Sequence, residues 1–200
     1  NNSKNEIKIA QGKSQKEFNI DNLRSNIVTI RIGQGHGSGF FVGNNGYLLT
    51  NAHVVGDSKS VQIITSSGME IEGQVIRKSK SRDVALIKVP LKITNSLYLK
   101  FQIPDIASDV YAAGTPIDEA LKTTVTKGII SNIRVDNASG LKFIQADASI
   151  SPGNSGGPLF DKFGNVIGIS VAKYNSNSAE GLGLFIPLQD AFNSIKLLIE

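Results

Sequence analysis

Ser151-Pro152-Gly153-Asn154-Ser155-Gly156-Gly157-Pro158 gathers residues that fix or free the backbone around one serine, Ser155. Such a loop can aim a hydroxyl and several N–H groups at one point, which is what attack on an acyl carbon requires. A serine hydroxyl is a weak nucleophile until a base takes its proton, so the chemistry calls for an imidazole and an acid elsewhere in the chain. His53 and Asp83 have the right settings. His53 follows the apolar run Tyr47-Leu48-Leu49 and is backed by Val54 and Val55, which would bury its flank and hold the ring. Asp83 heads Val84-Ala85-Leu86-Ile87-Lys88-Val89, a run that is apolar apart from Lys88, and a carboxylate at that junction can lie half-buried against the imidazole. The other histidine, His36, stands in Gly33-Gln34-Gly35-His36-Gly37 without an acid partner and reads as a loop residue.

Chain order separates the enzyme classes that place a serine in this way. Gly153 to Gly157 satisfies G-x-S-x-G, the nucleophile elbow of α/β-hydrolases, but that fold needs its histidine after the serine and none follows Ser155. The subtilisin order of Asp, His and Ser belongs to an alternating α/β chain, and helical periods are scarce here. The order His, Asp, Ser stands, with the serine in the second half of the chain and catalysis expected in a cleft between halves.

Three residues so distant in sequence need a rigid scaffold. Short runs rich in Ile, Val, Thr and Phe recur between turn residues, at 26–32, 39–42, 47–50, 61–65, 71–77 and 84–89. A less patterned stretch, 90–109, leads to a second series at 110–113, 123–135, 142–145, 158–160, 166–172 and 182–186. Leu188, Ala191, Phe192, Ile195 and Leu198 or Ile199 mark one helical face over 188–199. The economical reading is all-β: two packed barrels or sandwiches closed by a C-terminal helix. Residues 1–17 are polar and aperiodic, and predict a flexible or extended arm.

Composition narrows the chemistry further. A chain of 200 residues, 40% apolar and 19% charged, can bury a core for one domain or two small lobes. With no cysteine and two histidines, disulfide scaffolds, Cys-based zinc sites and His-rich metal sites are excluded, so neither a metal nor a cofactor is expected. The absence of cysteine tilts towards an oxidising, extracytoplasmic setting. The net charge of +4 comes from scattered Lys and Arg with few aromatics between them, which argues against a nucleic-acid partner. No apolar run approaches the roughly 18 residues of a transmembrane segment.

TNAHVV, DVALIKV and DASISPGNSGGPLFDKFGNVIGI, in this order and spacing, resemble the chymotrypsin-fold serine peptidases, and most of all their HtrA branch (DegP, DegS, DegQ). GSGFFV, TVTKGIISNI and GLGLFIP extend the likeness over about residues 24–199. It implies two six-stranded antiparallel β-barrels, at 24–92 and 105–187, with an active site in the cleft between them. An arm at 1–23 precedes the barrels, a helix at 188–199 follows, and no PDZ sequence is expected in the chain. The resemblance makes His53, Asp83 and Ser155 a catalytic triad and places the oxyanion hole at Gly153, Asn154 and Ser155. Asn154 stands where digestive relatives carry the Asp that pairs with a newly cut amino terminus, so zymogen activation is not expected.

The S1 floor falls by the same resemblance at Ser149 beside Ile150, with walls from Ile169, Ser170, Val171, Lys173, Leu182 and Leu184. Asp147 reads as a structural acceptor. An uncharged floor predicts apolar P1 residues first and Lys or Arg last, with acidic P1 second if Lys173 turns inward. Family likeness further implies unfolded or exposed polypeptides as substrates, an extracytoplasmic location, and a homotrimer drawing on Ile7, Ile9, Phe18 and Ile20 of the arm. The alternative function is a catalytically silent module that holds peptides in the cleft.

Overall fold

Runs of β-branched and aliphatic residues broken by turn residues have no way to bury both faces except by packing strand layers against each other, and the chain does so twice. The computed structural model describes residues 6–115, 123–151, 153–171 and 182–200. After β1 (Ile7–Ile9) and α1 (Ile20–Ser25), the first barrel is built from β2 (Ile27–Ile32), β3 (Gly35–Val42), β4 (Tyr47–Thr50), β5 (Ser60–Ile64), β6 (Glu70–Ser79) and β7 (Val84–Lys88), with the single turn α2 (Ala52–Val55) after β4. The second comprises β8 (Asp109–Gly114), β9 (Thr124–Val135), β10 (Lys142–Ala146), β11 (Pro158–Asp161), β12 (Val166–Val171) and β13 (Gly183–Pro187). Both close with six strands, in the orders β2-β3-β4-β7-β6-β5 and β10-β13-β12-β11-β8-β9. The expected pair of six-stranded antiparallel barrels is present.

Alternation along the strands sorts side chains into three cores. Phe41, Ala85 and Ile87 fill the first barrel with Val28, Ile30, Leu48 and Ile63. Val110, Ile144, Leu159, Ile167 and Phe185 fill the second. Their neighbours on the opposite face, Phe40, Val84 and Leu86 from one barrel and Phe160, Ile169 and Ile186 from the other, meet in a shared core with α3 (Leu188–Ser194). Burial of each such side chain contributes about 1.5–3 kcal/mol, so the barrels are welded along the wall that carries Asp83.

The C-terminal element differs from the expectation of a helix over 188–199. Helix α3 ends at Ser194, Lys196 adopts φ +53, and Leu197–Ile199 forms β14. Leu188, Ala191, Phe192 and Ile195 do share the buried face, but alternation then takes over: Leu197 is sealed and Leu198 exposed. β14 pairs in parallel with β1, Ile7 opposite Leu197 and Ile9 opposite Ile199. Among the described residues the arm is therefore tied down, with an extended strand at Ile7–Ile9. The Gln11 side chain adds a second tie, its amide donating to Leu99 O at 2.9 Å and its carbonyl accepting from Leu99 N at 2.8 Å.

Candidate active site

Asp83 sits at the end of the β6–β7 turn with φ +63, a left-handed conformation that costs most L-residues about 1–2 kcal/mol and that Asp tolerates best. The twist aims its carboxylate at α2. There Oδ1 accepts the His53 backbone N–H at 2.9 Å and Oδ2 lies 2.7 Å from His53 Nδ1. A carboxylate only accepts, so Nδ1 carries the proton and Nε2 presents its lone pair outward. The two contacts fix both the position and the plane of the ring. Side-chain exposure of 46% for His53 and 27% for Asp83 matches a base open to substrate and an acid half-withdrawn behind it.

Asn51 holds the far side of this pair. It precedes α2 where a capping residue would stand, yet its side chain makes no cap bond and donates instead to Asp83 O at 3.0 Å. Asn51 is fully buried, and among the described residues its Oδ1 has no partner. Nothing in its residue type marks it for this role; the only signal was its place in the TNAHVV run.

The serine loop is fastened to the first barrel, although its sequence belongs to the second. Ser38 N on β3 donates to Ser155 O at 2.8 Å, and Ser38 Oγ donates to Gly153 O at 2.6 Å while accepting from Thr115 N at 2.8 Å. Thr50 Oγ1 in turn donates to Ser38 O at 2.7 Å. Ser38 and Thr50, both sealed from solvent, hold the serine loop in place, and the motif-based reading did not single them out. Asn154 N donates to Ser151 O at 3.0 Å, closing a turn in which Gly153 has φ +97, a positive value that glycine adopts without steric cost.

Two glycines show how near the loop lies to the His53 helix. A Cβ on Gly37 would meet Val54 Cγ2 at 2.7 Å and Ser155 O at 3.3 Å. Gly156, at φ +85, has Ser38 O and Thr50 Oγ1 each 2.3 Å from where its Cβ would be. Val54 follows His53, so one glycine's width separates the helix that carries the imidazole from the backbone of Ser155. Asn154 is buried against Gly114, where a Cβ would come within 2.6 Å of its Oδ1.

The remaining candidate residues lie along β12, β13 and the segment after β10. Ser149 is exposed, and its carbonyl accepts from Thr126 Oγ1 at 2.8 Å. Ile150 is buried in the second barrel beside Gly183, where a Cβ would stand 2.6 Å from Ile150 Cδ1. Ser170 N donates to Gly157 O at 2.8 Å and Ser170 O accepts from Gly156 N at 3.0 Å, so β12 props the serine loop. Val171 faces Leu184 across β12 and β13, both half-buried like Leu182, whereas Ile169 is sealed in the shared core. Asp147 Oδ1 accepts from Ile129 N at 2.7 Å, a structural contact. Lys173 lies outside the described residues.

Comparison with known proteins bears directly on this arrangement. The trypsin-like peptidase domain matches over residues 37–169, about two thirds of the chain and the part that holds all three candidate catalytic residues. The chain belongs to the trypsin-like peptidase family. This peptidase is similar to an HtrA-like serine protease of Staphylococcus epidermidis, 30% identical over 210 residues that cover 92% of the chain and 35% of the relative. A protein of Bartonella henselae named as a DegP-like periplasmic serine endoprotease is 35% identical over 175 residues, 82% of the chain and 33% of the relative. Among solved structures, the peptidase superposes on the HtrA-type protease AlgW with tripeptide at a TM-score of 0.77 and 32% identity, covering 87% of this chain and 60% of that one. The serine endoprotease from Yersinia pestis gives a TM-score of 0.76 at 28% identity, covering 88% and 65%. The chain spans about a third of the length of these two curated relatives.

Proposed function

We propose that this peptidase is an HtrA-type serine endopeptidase that opens peptide bonds through an acyl-enzyme. The observation that carries the reading is the grip of Asp83 on both the backbone and the ring of His53, one glycine's width from the pinned backbone of Ser155. In the first half-reaction Ser155 Oγ bonds to the scissile carbonyl carbon while His53 Nε2 takes its proton. The C–N bond then breaks and the same proton passes to the leaving amine. Water repeats the sequence in the second half: His53 takes its proton, the ester opens and Ser155 recovers its hydroxyl. Asp83 keeps Nδ1 protonated and stabilises the imidazolium between the two transfers. The N–H groups of Gly153 and Ser155, flanking Asn154, stabilise the oxyanion, and each such donor is worth about two orders of magnitude in rate.

Substrates on this reading are unfolded or exposed polypeptides. Ser149 with Ile150, and Val171, Leu182 and Leu184 nearby, favour a small or medium apolar P1 residue, and a cationic P1 would find no carboxylate among them. The periplasmic name of the Bartonella relative supports work outside the cytoplasm, and no helix among the described residues is long and apolar enough to cross a membrane. A homotrimer would have to form with little help from the arm, because Ile9 is sealed and Phe18 stacks on Tyr111 at 4.2 Å within the chain.

Digestion of casein by the wild type and by Ser155→Ala, with a fluorophosphonate probe in parallel, tests the proposal. Cleavage and labelling that both vanish in Ser155→Ala are expected, with fragment ends after Val, Ala, Leu or Ile. Equal labelling of Ser155→Ala would reject Ser155 as the nucleophile, and tight peptide binding by an unlabelled wild type would replace the enzyme with a holding module.

A further inference from the structure

Arg82, next to the proposed catalytic acid, is 4% exposed, which is rare for a guanidinium. Its side chain leaves the first barrel altogether. Nη2 donates to Lys142 O on β10 and pairs with Asp190 Oδ2 on α3 at 3.1 Å, and its guanidinium carbon lies 4.6 Å from the centre of the Phe143 ring. Among the described residues, Nε and Nη1 are buried without an acceptor. Burial pulls the guanidinium below its ordinary pKa, and Asp190 offsets part of that cost.

As a stabilising device this is poor chemistry. Replacing a whole buried ion pair by apolar residues of similar shape is often neutral or a gain, so such a pair is weak evidence of a role in stability. Its position is what makes the residue useful. Arg82 and Asp83 are consecutive in a short turn, Asp83 is held in the left-handed region, and Asn51 fastens the Asp83 carbonyl. The carboxylate is thus aimed from one side by Asn51, while on the other side the turn is bolted across the barrel boundary to β10 and α3.

We propose that Arg82 is a positioning residue of the active site, a strut that holds the turn bearing Asp83 against the second barrel so that the carboxylate stays in register with His53. The strut rests on the triad reading above. It acts through Asp83 and touches no substrate. Displacing a catalytic group by about 1 Å can cost on the order of 100-fold in rate, so the effect should appear in turnover.

The test is Arg82→Met, whose side chain fills similar space without charge. We expect kcat to fall about 10- to 100-fold with KM within about twofold of wild type, measured on protein that circular dichroism shows to be folded. The proton NMR resonance of His53 Nδ1–H, which reports its hydrogen bond to Asp83, should broaden or move. A kcat within about twofold of wild type with an unchanged resonance overturns the proposal, as does a loss of kcat that only follows a loss of folded protein. If Arg82→Met does not fold, Asp190→Asn decides: it keeps an acceptor but removes the charge, and a kcat fall of at least about threefold is expected. An Asp190→Asn protein with wild-type kcat and resonance would then reject the strut. Ser155→Ala run alongside separates the two readings. Hydrolysis that survives in Ser155→Ala sinks the triad and the strut together, whereas an inert Ser155→Ala beside a fully active Arg82→Met sinks the strut alone.

Discussion

Asp83 has to accept twice from one neighbour, through His53 N and His53 Nδ1, and that double demand makes it sensitive to substitution. In Asp83→Asn, an amide nitrogen facing Nδ1 would drive the proton to Nε2, leaving no lone pair for the Ser155 hydroxyl. We expect kcat to fall by about four orders of magnitude, as for triads of this kind in general, with little change in KM; normal turnover would show that another group is the acid. Gly156→Ala should act by a different route. The new Cβ would lie 2.3 Å from Ser38 O and from Thr50 Oγ1, so the loop must shift, and overpacking should cost about 1–3 kcal/mol. A lowered Tm with reduced fluorophosphonate labelling is the expected pair of readings. The meeting of His53 with Asp83 is legible in the sequence because each sits in a run whose neighbours restrict it. Arg82 is not: it is one of 21 Lys and Arg, flanked by Ser81 and Asp83, and nothing in those types shows that the chain will fold its side chain under a second barrel.

At the scale of elements, the strands that are easiest to read have both faces buried. β4 is found at 47–50 as expected and β7 ends one residue early, because Val84 to Ile87 must satisfy two cores at once and so reads as a continuous apolar run. β14 is missed for the opposite reason. It is three residues long, follows a helical period without a break, and owes its conformation to β1 at the far end of the sequence. Turns carry their own chemistry. In the β9–β10 connection, Asp136 accepts from Ser139 Oγ and from the N–H groups of Ser139 and Ala138, and the Ser139 hydroxyl in first place pulls its pKa below the ordinary carboxylate value. Because the folded value is the lower one, the turn's contribution is complete above the ordinary carboxylate range and is lost as pH falls through the depressed value. The Ser139 amide shift, followed by NMR, should therefore titrate with a midpoint below that of a free Asp. It should not titrate in Asp136→Asn; a midpoint at or above the free value would contradict the turn geometry.

For the molecule as a whole, three of the four apolar arm residues expected at a trimer interface, Ile7, Ile9 and Phe18, are already engaged inside the chain. Ile7 and Phe18 pack on the shared core, Ile9 is sealed within it, and among the described residues the exposed large apolar side chains include Met69 and Ile106, which lie between strands, and Val135 at the end of β9. A stable trimer interface needs upwards of about 1,000 Å² of buried surface, so light scattering should return a monomeric mass for this chain. A trimeric mass would reveal a contact made elsewhere than at Ile9. The pairing of β1 with β14 also decides how the domain bears load. Because the two strands run parallel, tension applied through residues 6 and 200 pulls them past each other lengthwise and strains their hydrogen bonds together. An antiparallel seam held at the same end would unzip bond by bond. The seam is therefore a shear lock, and a polypeptide tugging on either side of this peptidase would have to slide Ile9 out of the core before the barrels felt any force.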